Sequence, residues 1–323
     1  MNNANNDKDG GLDVKVNKLT IKSNDAKDAI EIFETIRSSE IMPKDEKDMR
    51  CAPSKKFENG SCIPTNVLVK MAEAYNQENP DDKIPLDHTK ETLNPKQYKR
   101  FILKQFKKRL DGKCNDQKCW VRQNFIKRLE KEYQEDLKTN TFRPKGPEGK
   151  FTWLNTLNID QVMKQYESKY PEFKFLGAVP ADFDNLPELG IKDLDFKKLM
   201  SEGKTKFGVV FNTDESWKGG QHWNMAYSDL NKGIVYFSDS YGVPPEKRVK
   251  KLLGRIANFI QNELGKKPIV QHNKIQHQQG GNACGQYSIN FIIRLLRGDS
   301  FEELTSKRIP DEVVNQCRKV YFT

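Results

Sequence analysis

Apolar residues recur at helical spacing in the first half of the chain. One such stripe consists of Tyr98, Ile102, Phe106 and Leu110. Because four-residue spacing keeps side chains on one face, this stripe predicts a helix that Asn94-Pro95 begins and Asp111-Gly112 ends. A second stripe, which predicts one further continuous helix, consists of Val121, Phe125, Leu129 and Tyr133. Shorter helices are expected at 25–38 and 65–75, and a compact loop at 51–63.

The second half of the chain alternates strand and helix patterns. Short apolar runs predict strands at 207–211, 222–227, 234–237 and 269–275. The middle two flank a turn at 229–233 and should form a hairpin. Helices are predicted at 159–166, 245–264 and 284–297. This alternation predicts an α+β fold in which helices pack on a mixed sheet.

A linker separates these two halves. Residues 141–150 contain two prolines and two glycines, which favour a loop over a helix or strand. We therefore divide the chain into a mainly helical N-terminal region, 1–145, and a second domain, 146–323.

Positive charge is concentrated in one stretch of the N-terminal region. The chain carries a net charge of +10, and residues 90–128 hold thirteen lysines and arginines against three acidic residues. This stretch therefore accounts for the whole net charge. It fits nucleic acid or another acidic partner, because phosphates attract lysine and arginine. A solvated helix face explains the same pattern, so both interpretations stay open.

Membrane insertion and secretion are not expected. No apolar run approaches the roughly 18 residues that a membrane-spanning helix needs. Residues Met1 to Asn6 lack the basic and apolar pattern of a secretion signal. We therefore expect a protein that is neither secreted nor bound to a membrane.

Six cysteines in 323 residues are too few for a disulfide scaffold, so reduced thiols are expected. Cys51, Cys62, Cys114 and Cys119 would also suit a zinc site or disulfides, although these spacings are looser than those of typical structural zinc sites. Cys317 falls on the apolar face of a further helix, predicted near the end of the sequence, and is expected in the core.

Cys284 stands apart because it follows Gly280-Gly281 and begins a predicted helix. The positive end of a helix favours a thiolate, and the glycines let a substrate backbone approach. A thiolate nucleophile needs a basic partner, which in turn needs an acid to orient it. His222 and Asp239 lie at facing ends of the predicted hairpin and could hydrogen-bond. Gln278, six residues before the cysteine, could donate its amide to an oxyanion.

The order of these residues resembles the clan of adenovirus proteases and SUMO- and ubiquitin-like-protein-specific cysteine proteases. The matching motifs are His222-Trp223, Asp239-Ser240, Gln278 and Cys284-Gly285, and the resemblance extends over roughly residues 148–323. It implies an adenain-like cysteine protease fold with the nucleophile at the N-terminus of a helix. In this interpretation Cys284 attacks, His222 is its base, Asp239 orients the base and Gln278 binds the oxyanion. The resemblance requires no metal and no organic cofactor.

A further motif lies upstream, where Trp153-Leu154-Asn155 looks like the Trp-Leu-Asn segment at the start of the family's catalytic domain. In that family, this tryptophan and the one after the catalytic histidine sandwich the Gly-Gly stretch of the substrate. By resemblance, Trp153 and Trp223 would form a narrow tunnel that passes only small residues. Gly281 would leave room for the substrate backbone.

The N-terminal half resembles the extension on proteases of nucleocytoplasmic large DNA viruses, the poxvirus, asfarvirus and mimivirus kind. The resemblance lies in the loop from Cys51 to Cys62, the basic helices and Lys118-Cys119-Trp120. Those enzymes cleave core and capsid precursors after Gly-Gly-like or Ala-Gly-like motifs. The resemblance thus implies a maturation protease of viral structural precursors, located in the virion and the host cytoplasm.

Other interpretations stay open at this point. The same catalytic residues would suit an isopeptidase that removes ubiquitin or SUMO-like modifiers. A non-catalytic nucleic-acid-binding or scaffold protein on a protease fold is the alternative of another class. The chain also departs from the family, because Ala283 stands where cellular members usually carry aspartate. Gln279 and His277 compete with Gln278 for the oxyanion role.

Overall fold

The structure is a computed structural model that describes residues 14–16, 19–21, 51–87, 89, 91, 94–149 and 152–323. The helix predicted at 25–38 and His88 lie outside the described residues. Two short strands, β1 (Val14–Val16) and β2 (Leu19–Ile21), pair antiparallel.

Helices dominate the described residues from 51 to 149, as the sequence predicts. They are α1 (Thr65–Glu78), α2 (Pro95–Leu110), α3 (Gln117–Trp120) and α4 (Lys131–Thr139), with a 3₁₀ turn at Asn124–Arg128. The α2 helix begins at Pro95 and ends before Asp111-Gly112, and its apolar stripe is buried. The stripe packs in a hydrophobic cluster that α2 shares with α1.

The second apolar stripe does not form one continuous helix, which makes that prediction wrong. The segment is divided among α3, the 3₁₀ turn and α4. Glutamine side chains donate to carbonyls at the two breaks, in one case beside a backbone donor, the Arg122 N–H on the Cys119 carbonyl. Gln123 Nε2 donates to the Cys119 carbonyl at 3.2 Å, and Gln134 Nε2 donates to the Leu129 carbonyl at 2.7 Å. The chain can therefore leave the helix at these points without stranding polar groups.

Two disulfide bonds replace the reduced thiols that the sequence favoured. They join Cys51 to Cys62 and Cys114 to Cys119, with the Cα atoms of each pair 5.4 Å apart. These four sulfurs are therefore not free to bind zinc. With separations of 11 and 5 residues, loop entropy predicts about 3 and about 2 kcal/mol of stabilisation. Cys317 is a free cysteine and lies in the core, as predicted.

A five-stranded mixed sheet forms the centre of the second half. Its strands, in spatial order, are β3 (Phe173–Val179), β4 (Lys206–Asn212), β5 (Trp223–Asp229), β6 (Ile234–Asp239) and β7 (Ile269–His272). The strands β4, β5 and β6 form an antiparallel meander, and β3 and β7 run parallel to their neighbours. The pattern did not predict β3, where the register shifts between Phe175 and Ala178 and Gly177 adopts a φ of 115°. Such a bulge interrupts the alternation that identifies a strand.

Helices cover both faces of this sheet. They are α5 (Thr156–Lys169), α6 (Phe196–Ser201), α7 (Lys247–Asn262), α8 (Cys284–Arg297), α9 (Phe301–Thr305), α10 (Asp311–Gln316) and α11 (Arg318–Tyr321). Successive residues of β5 face different hydrophobic clusters: Met225 and Tyr227 pack with α5 and α8, and Ala226 packs with α7. The mixed sheet packed by helices confirms the predicted α+β class. The α8 helix is buried almost throughout and packs against β5, which brings its first residue close to the hairpin.

Among the described residues, a separate hydrophobic cluster lies within residues 63–142 and shares no member with the two clusters of the sheet. The division of the chain into 1–145 and 146–323 stays a prediction. Within the described ranges, no helix combines the length and apolar character needed to cross a lipid bilayer.

Candidate active site

The β5–β6 hairpin brings His222 and Asp239 together. His222 immediately precedes β5, and Asp239 ends β6 opposite Asn224 in the strand register. His222 Nε2 lies 2.9 Å from Asp239 Oδ2, which is a hydrogen-bond distance. Only 15% of the histidine side chain and 5% of the aspartate side chain are exposed. The contact expected from the hairpin pattern is therefore present in the structure.

Cys284 is the first residue of α8 and contacts the same imidazole. Its thiol acts on the His222 side chain through hydrogen bonding and charge, and Asp239 holds the same ring at Nε2. The preceding residue, Ala283, has no side-chain oxygen with which to cap α8. The first backbone amides of the helix therefore direct their partial positive charge toward the sulfur and any group bound beside it.

The neighbours of the His222 imidazole favour its charged form. Burial alone disfavours the imidazolium, but the hydrogen bonds and negative charges of Asp239 and Cys284 outweigh burial and raise the pKa of His222 to about 9. The ring is therefore protonated at neutral pH. A protonated ring in contact with the cysteine stabilises a thiolate, which is the reactive form of the sulfur.

Two residues that sequence reasoning missed hold Asp239 in place. The Asp239 N–H donates to Asn273 Oδ1 at 2.9 Å, and Asn273 Nδ2 donates to the Asp239 carbonyl at 2.7 Å. The Tyr241 N–H donates to Asp239 Oδ1 at 2.7 Å, and the Tyr241 ring stacks on His222 with centroids 4.8 Å apart. Tyr241 carried a sequence signal because it follows Asp239 by two positions. Asn273 carried none, because it lies 34 residues away.

The Gln278 side chain is buried and held at both ends of its amide. Its Oε1 accepts from Ser240 Oγ at 2.6 Å, and its Nε2 donates to the Gly280 carbonyl at 2.6 Å. An amide nitrogen carries two hydrogens. One hydrogen of Gln278 is therefore engaged, and the second can serve an oxyanion.

Gln279 and His277, the two alternatives to Gln278 for the oxyanion role, have different surroundings. The Gln279 side chain belongs to an exposed residue. The His277 ring is buried against Phe291, and its Nδ1 accepts from the Ile309 N–H at 3.1 Å. Burial, with the nearby charge of Arg308, lowers the pKa of His277 to about 4, so this ring is neutral. These surroundings favour Gln278 as the oxyanion donor.

The two tryptophans expected around the substrate differ in exposure. Trp153 is 48% exposed, whereas Trp223 is 6% exposed and belongs to a hydrophobic cluster. Trp223 Nε1 donates to the Leu154 carbonyl at 2.8 Å, which ties the backbone beside Trp153 to β5. A Cβ on Gly281 would meet no atom within 4 Å, so the loop before Cys284 is open to solvent there. The tunnel between the tryptophans stays a prediction.

A sulfur in contact with an imidazole that is in turn held by a carboxylate can attack a carbonyl carbon and transfer protons to and from it. The geometry is that of a cysteine hydrolase. The chain is 37% identical over 279 residues to a protein of Acanthamoeba polyphaga mimivirus that is named as a thiol protease, with 84% of this chain and 92% of that protein covered. It is 26% identical over 234 residues to the cysteine protease of African swine fever virus, with 65% and 83% covered.

The fold also has a solved counterpart. The crystal structure of the African swine fever virus protease matches with a TM-score of 0.52 at 24% sequence identity, over 68% of this chain and 88% of that one. No family model matches the chain.

The chain therefore belongs to the viral thiol proteases that include the mimivirus relative, and it is a cysteine protease. The predicted membership of the SUMO-protease-like clan is confirmed, and another isolate's African swine fever virus relative is named a SUMO-1 cysteine protease. The predicted cysteine protease fold is confirmed as well. The non-catalytic alternative is not retained.

Exchanging Asp239 for asparagine should shift the alkaline limb of the pH–rate profile to lower pH. The change removes a negative charge beside His222, so the pKa of that ring should fall from about 9 toward its ordinary 6.5. Because the imidazolium is lost as pH rises through this pKa, activity should decline at a lower pH than in the wild type. Profiles of kcat/KM from about pH 5 to about pH 10 measure the shift. Asp229→Asn, at the other end of the hairpin, is the matched control, and an alkaline limb that stays near pH 9 would contradict the role of Asp239.

Proposed function

We propose that this cysteine protease is an endopeptidase that cleaves viral core and capsid precursors after Gly-Gly-like or Ala-Gly-like motifs. Its place of action would be the virion and the host cytoplasm. The contact of Cys284 with His222, and of His222 with Asp239, is the observation that carries the proposal. The viral thiol proteases to which the chain is similar support it further.

In this mechanism the Cys284 thiolate attacks the carbonyl carbon on the N-terminal side of the scissile bond. The Cys284 N–H and the second hydrogen of the Gln278 amide bind the oxyanion, and each such donor is worth on the order of 3 kcal/mol in the barrier. His222 gives its proton to the leaving amine as the carbon–nitrogen bond breaks. Water then hydrolyses the thioester, and Asp239 supports the imidazolium in both steps.

The preference for small residues follows from the approach to the sulfur. Trp153 and Trp223 would flank the residues that precede the scissile bond, and only residues with little or no side chain would pass between them. The open space beside Gly281 would accommodate the substrate backbone. Substrates with bulky residues at these positions would then bind poorly.

The test is a panel of peptides that contain Gly-Gly-X, Ala-Gly-X or Val-Val-X and have the same flanking residues. We expect cleavage after the first two motifs and at least a tenfold lower kcat/KM for the third. Protein alkylated with iodoacetamide serves as the blank. If no peptide is cleaved, or if all three are cleaved equally well, the proposal fails.

A second candidate is suggested by the relative named a SUMO-1 cysteine protease. The panel is extended with fusion proteins in which SUMO or ubiquitin is joined to the flanking sequence that follows the motif in the peptides. If these fusions are cleaved much faster than the precursor-like peptides, the protein acts as an isopeptidase of ubiquitin-like modifiers.

We also propose that the basic stretch 90–128 binds nucleic acid. Exposed basic residues follow one face of α2, opposite its buried stripe: Lys96, Arg100, Lys104 and Lys107. Because they are three or four residues apart, their charges act on one side of the helix. Binding to duplex DNA should weaken steeply as salt is raised. If polyglutamate binds and duplex DNA does not, the partner is an acidic protein.

A further inference from the structure

The loop before Cys284 is held by a carboxylate from the last part of the chain. Asp311 is the first residue of α10, and its Oδ2 accepts from the Gln279 N–H at 3.0 Å and the Gly280 N–H at 2.6 Å. Its Oδ1 lies 2.7 Å from the hydroxyl of Tyr287, which belongs to the first turn of α8. One side chain therefore joins the loop, the helix that begins with Cys284, and α10.

The same loop residue, Gly280, is held through its carbonyl as well. That carbonyl accepts from Gln278 Nε2 at 2.6 Å and from the Tyr241 hydroxyl at 3.2 Å. A Cβ on Gly280 would lie 3.3 Å from Asp311 Oδ2, so the absence of a side chain lets the carboxylate approach closely. The Gln278 amide thus takes its orientation from a residue whose backbone Asp311 holds.

We propose that Asp311 is a positioning residue for the oxyanion-binding side of the active site. Asp311 fixes Gly280, Gly280 orients the Gln278 amide, and the amide faces the oxygen that becomes negative when Cys284 attacks. This inference rests on the proposed function, because it takes Gln278 as an oxyanion donor. Asp311 contacts no reacting atom, so its loss should slow acylation and leave the reactivity of the thiol unchanged.

Two substitutions of Asp311 distinguish the effect of its hydrogen-bond acceptors from the effect of its negative charge. Asp311→Ala removes every acceptor, and we expect a kcat roughly 10- to 100-fold lower with KM little changed, a fraction of what losing one oxyanion donor costs. Asp311→Asn keeps an oxygen for both backbone N–H groups. Its Nδ2 can donate to the Tyr287 hydroxyl, which then donates to the Ile309 carbonyl 2.6 Å away. We therefore expect the asparagine variant to stay within a few-fold of the wild type.

Two thiol reagents distinguish a specific loss of oxyanion binding from a general loss of structure. With iodoacetamide, the Cys284 thiolate forms a carbon–sulfur bond as iodide leaves, and no carbonyl oxygen becomes charged. Asp311→Ala should therefore alkylate at the wild-type rate. With a peptide aldehyde, the thiolate sulfur adds to the carbonyl carbon, and the electron pair of the carbon–oxygen double bond moves to oxygen, which takes its proton from the His222 imidazolium. Asp311→Ala should bind the aldehyde roughly 10- to 100-fold more weakly.

The inference is overturned if Asp311→Ala keeps the wild-type kcat and aldehyde affinity. It is also overturned if alkylation slows in parallel with kcat, since Asp311 would then support the whole site and not its oxyanion side. A failure of the proposed function looks different, because it appears in the wild type itself, which would then cleave none of the peptides or all three equally well.

Discussion

Replacing Cys284 with alanine is expected to lower kcat/KM by on the order of 10⁶, to the level of the uncatalysed blank. The sulfur forms the covalent bond to the substrate, and no neighbouring group can take its place. The other free cysteine among the described residues, Cys317, is buried in the core, and burial raises the pKa of its thiol to about 11. It therefore supplies no thiolate near neutral pH.

Cys317→Ser is the matched control for this experiment, because it removes a buried thiol far from solvent without touching the proposed nucleophile. This variant should keep the wild-type kcat/KM, measured on the best peptide of the panel. Mass spectrometry after brief iodoacetamide treatment should find the label on Cys284 in both the wild type and the control. If Cys284→Ala retained a hundredth of the activity, another nucleophile would have to be sought.

Local patterns were sufficient for much of the fold. The α2 and α8 helices and the β5–β6 hairpin follow from apolar spacing and turn residues, and each is present with bounds close to those predicted. The second stripe failed because its spacing is helical while glutamine side chains, from Gln123 and Gln134, satisfy carbonyls at the breaks. That choice between backbone and side-chain donors depends on three-dimensional packing, which periodicity does not contain.

The residues of the candidate site were likewise predictable only in part. His222, Asp239 and Cys284 were identified because each lies at the end of a predicted element and in a motif. Asn273 and Asp311 were not, because each acts through backbone groups of residues more than thirty positions away. An asparagine after a strand or an aspartate at a helix start is common in any sequence. Only the tertiary contact gives these two residues a part in the site.

Replacing His222 with alanine should lower kcat/KM by on the order of 10⁶, about as much as losing the nucleophile. The imidazole takes the thiol proton and later gives a proton to the leaving amine, so its loss removes both proton transfers. Asp239 cannot substitute, since its carboxylate sits on the far side of the ring, at Nε2. The substitution also leaves Asp239 buried without its partner, so the variant should unfold at a lower temperature than the wild type.

The pH dependence of alkylation distinguishes this explanation from simple damage to the site. In the wild type, the imidazolium stabilises the thiolate well below the His222 pKa of about 9, so alkylation by iodoacetamide should be fast near neutral pH. In His222→Ala, the sulfur loses the imidazolium beside it, and alkylation near neutral pH should be slower than in the wild type. His272→Gln, at the end of β7, is the control and should alkylate like the wild type. Equal alkylation rates in His222→Ala and the wild type near neutral pH would mean that the sulfur and the imidazole do not form an ion pair.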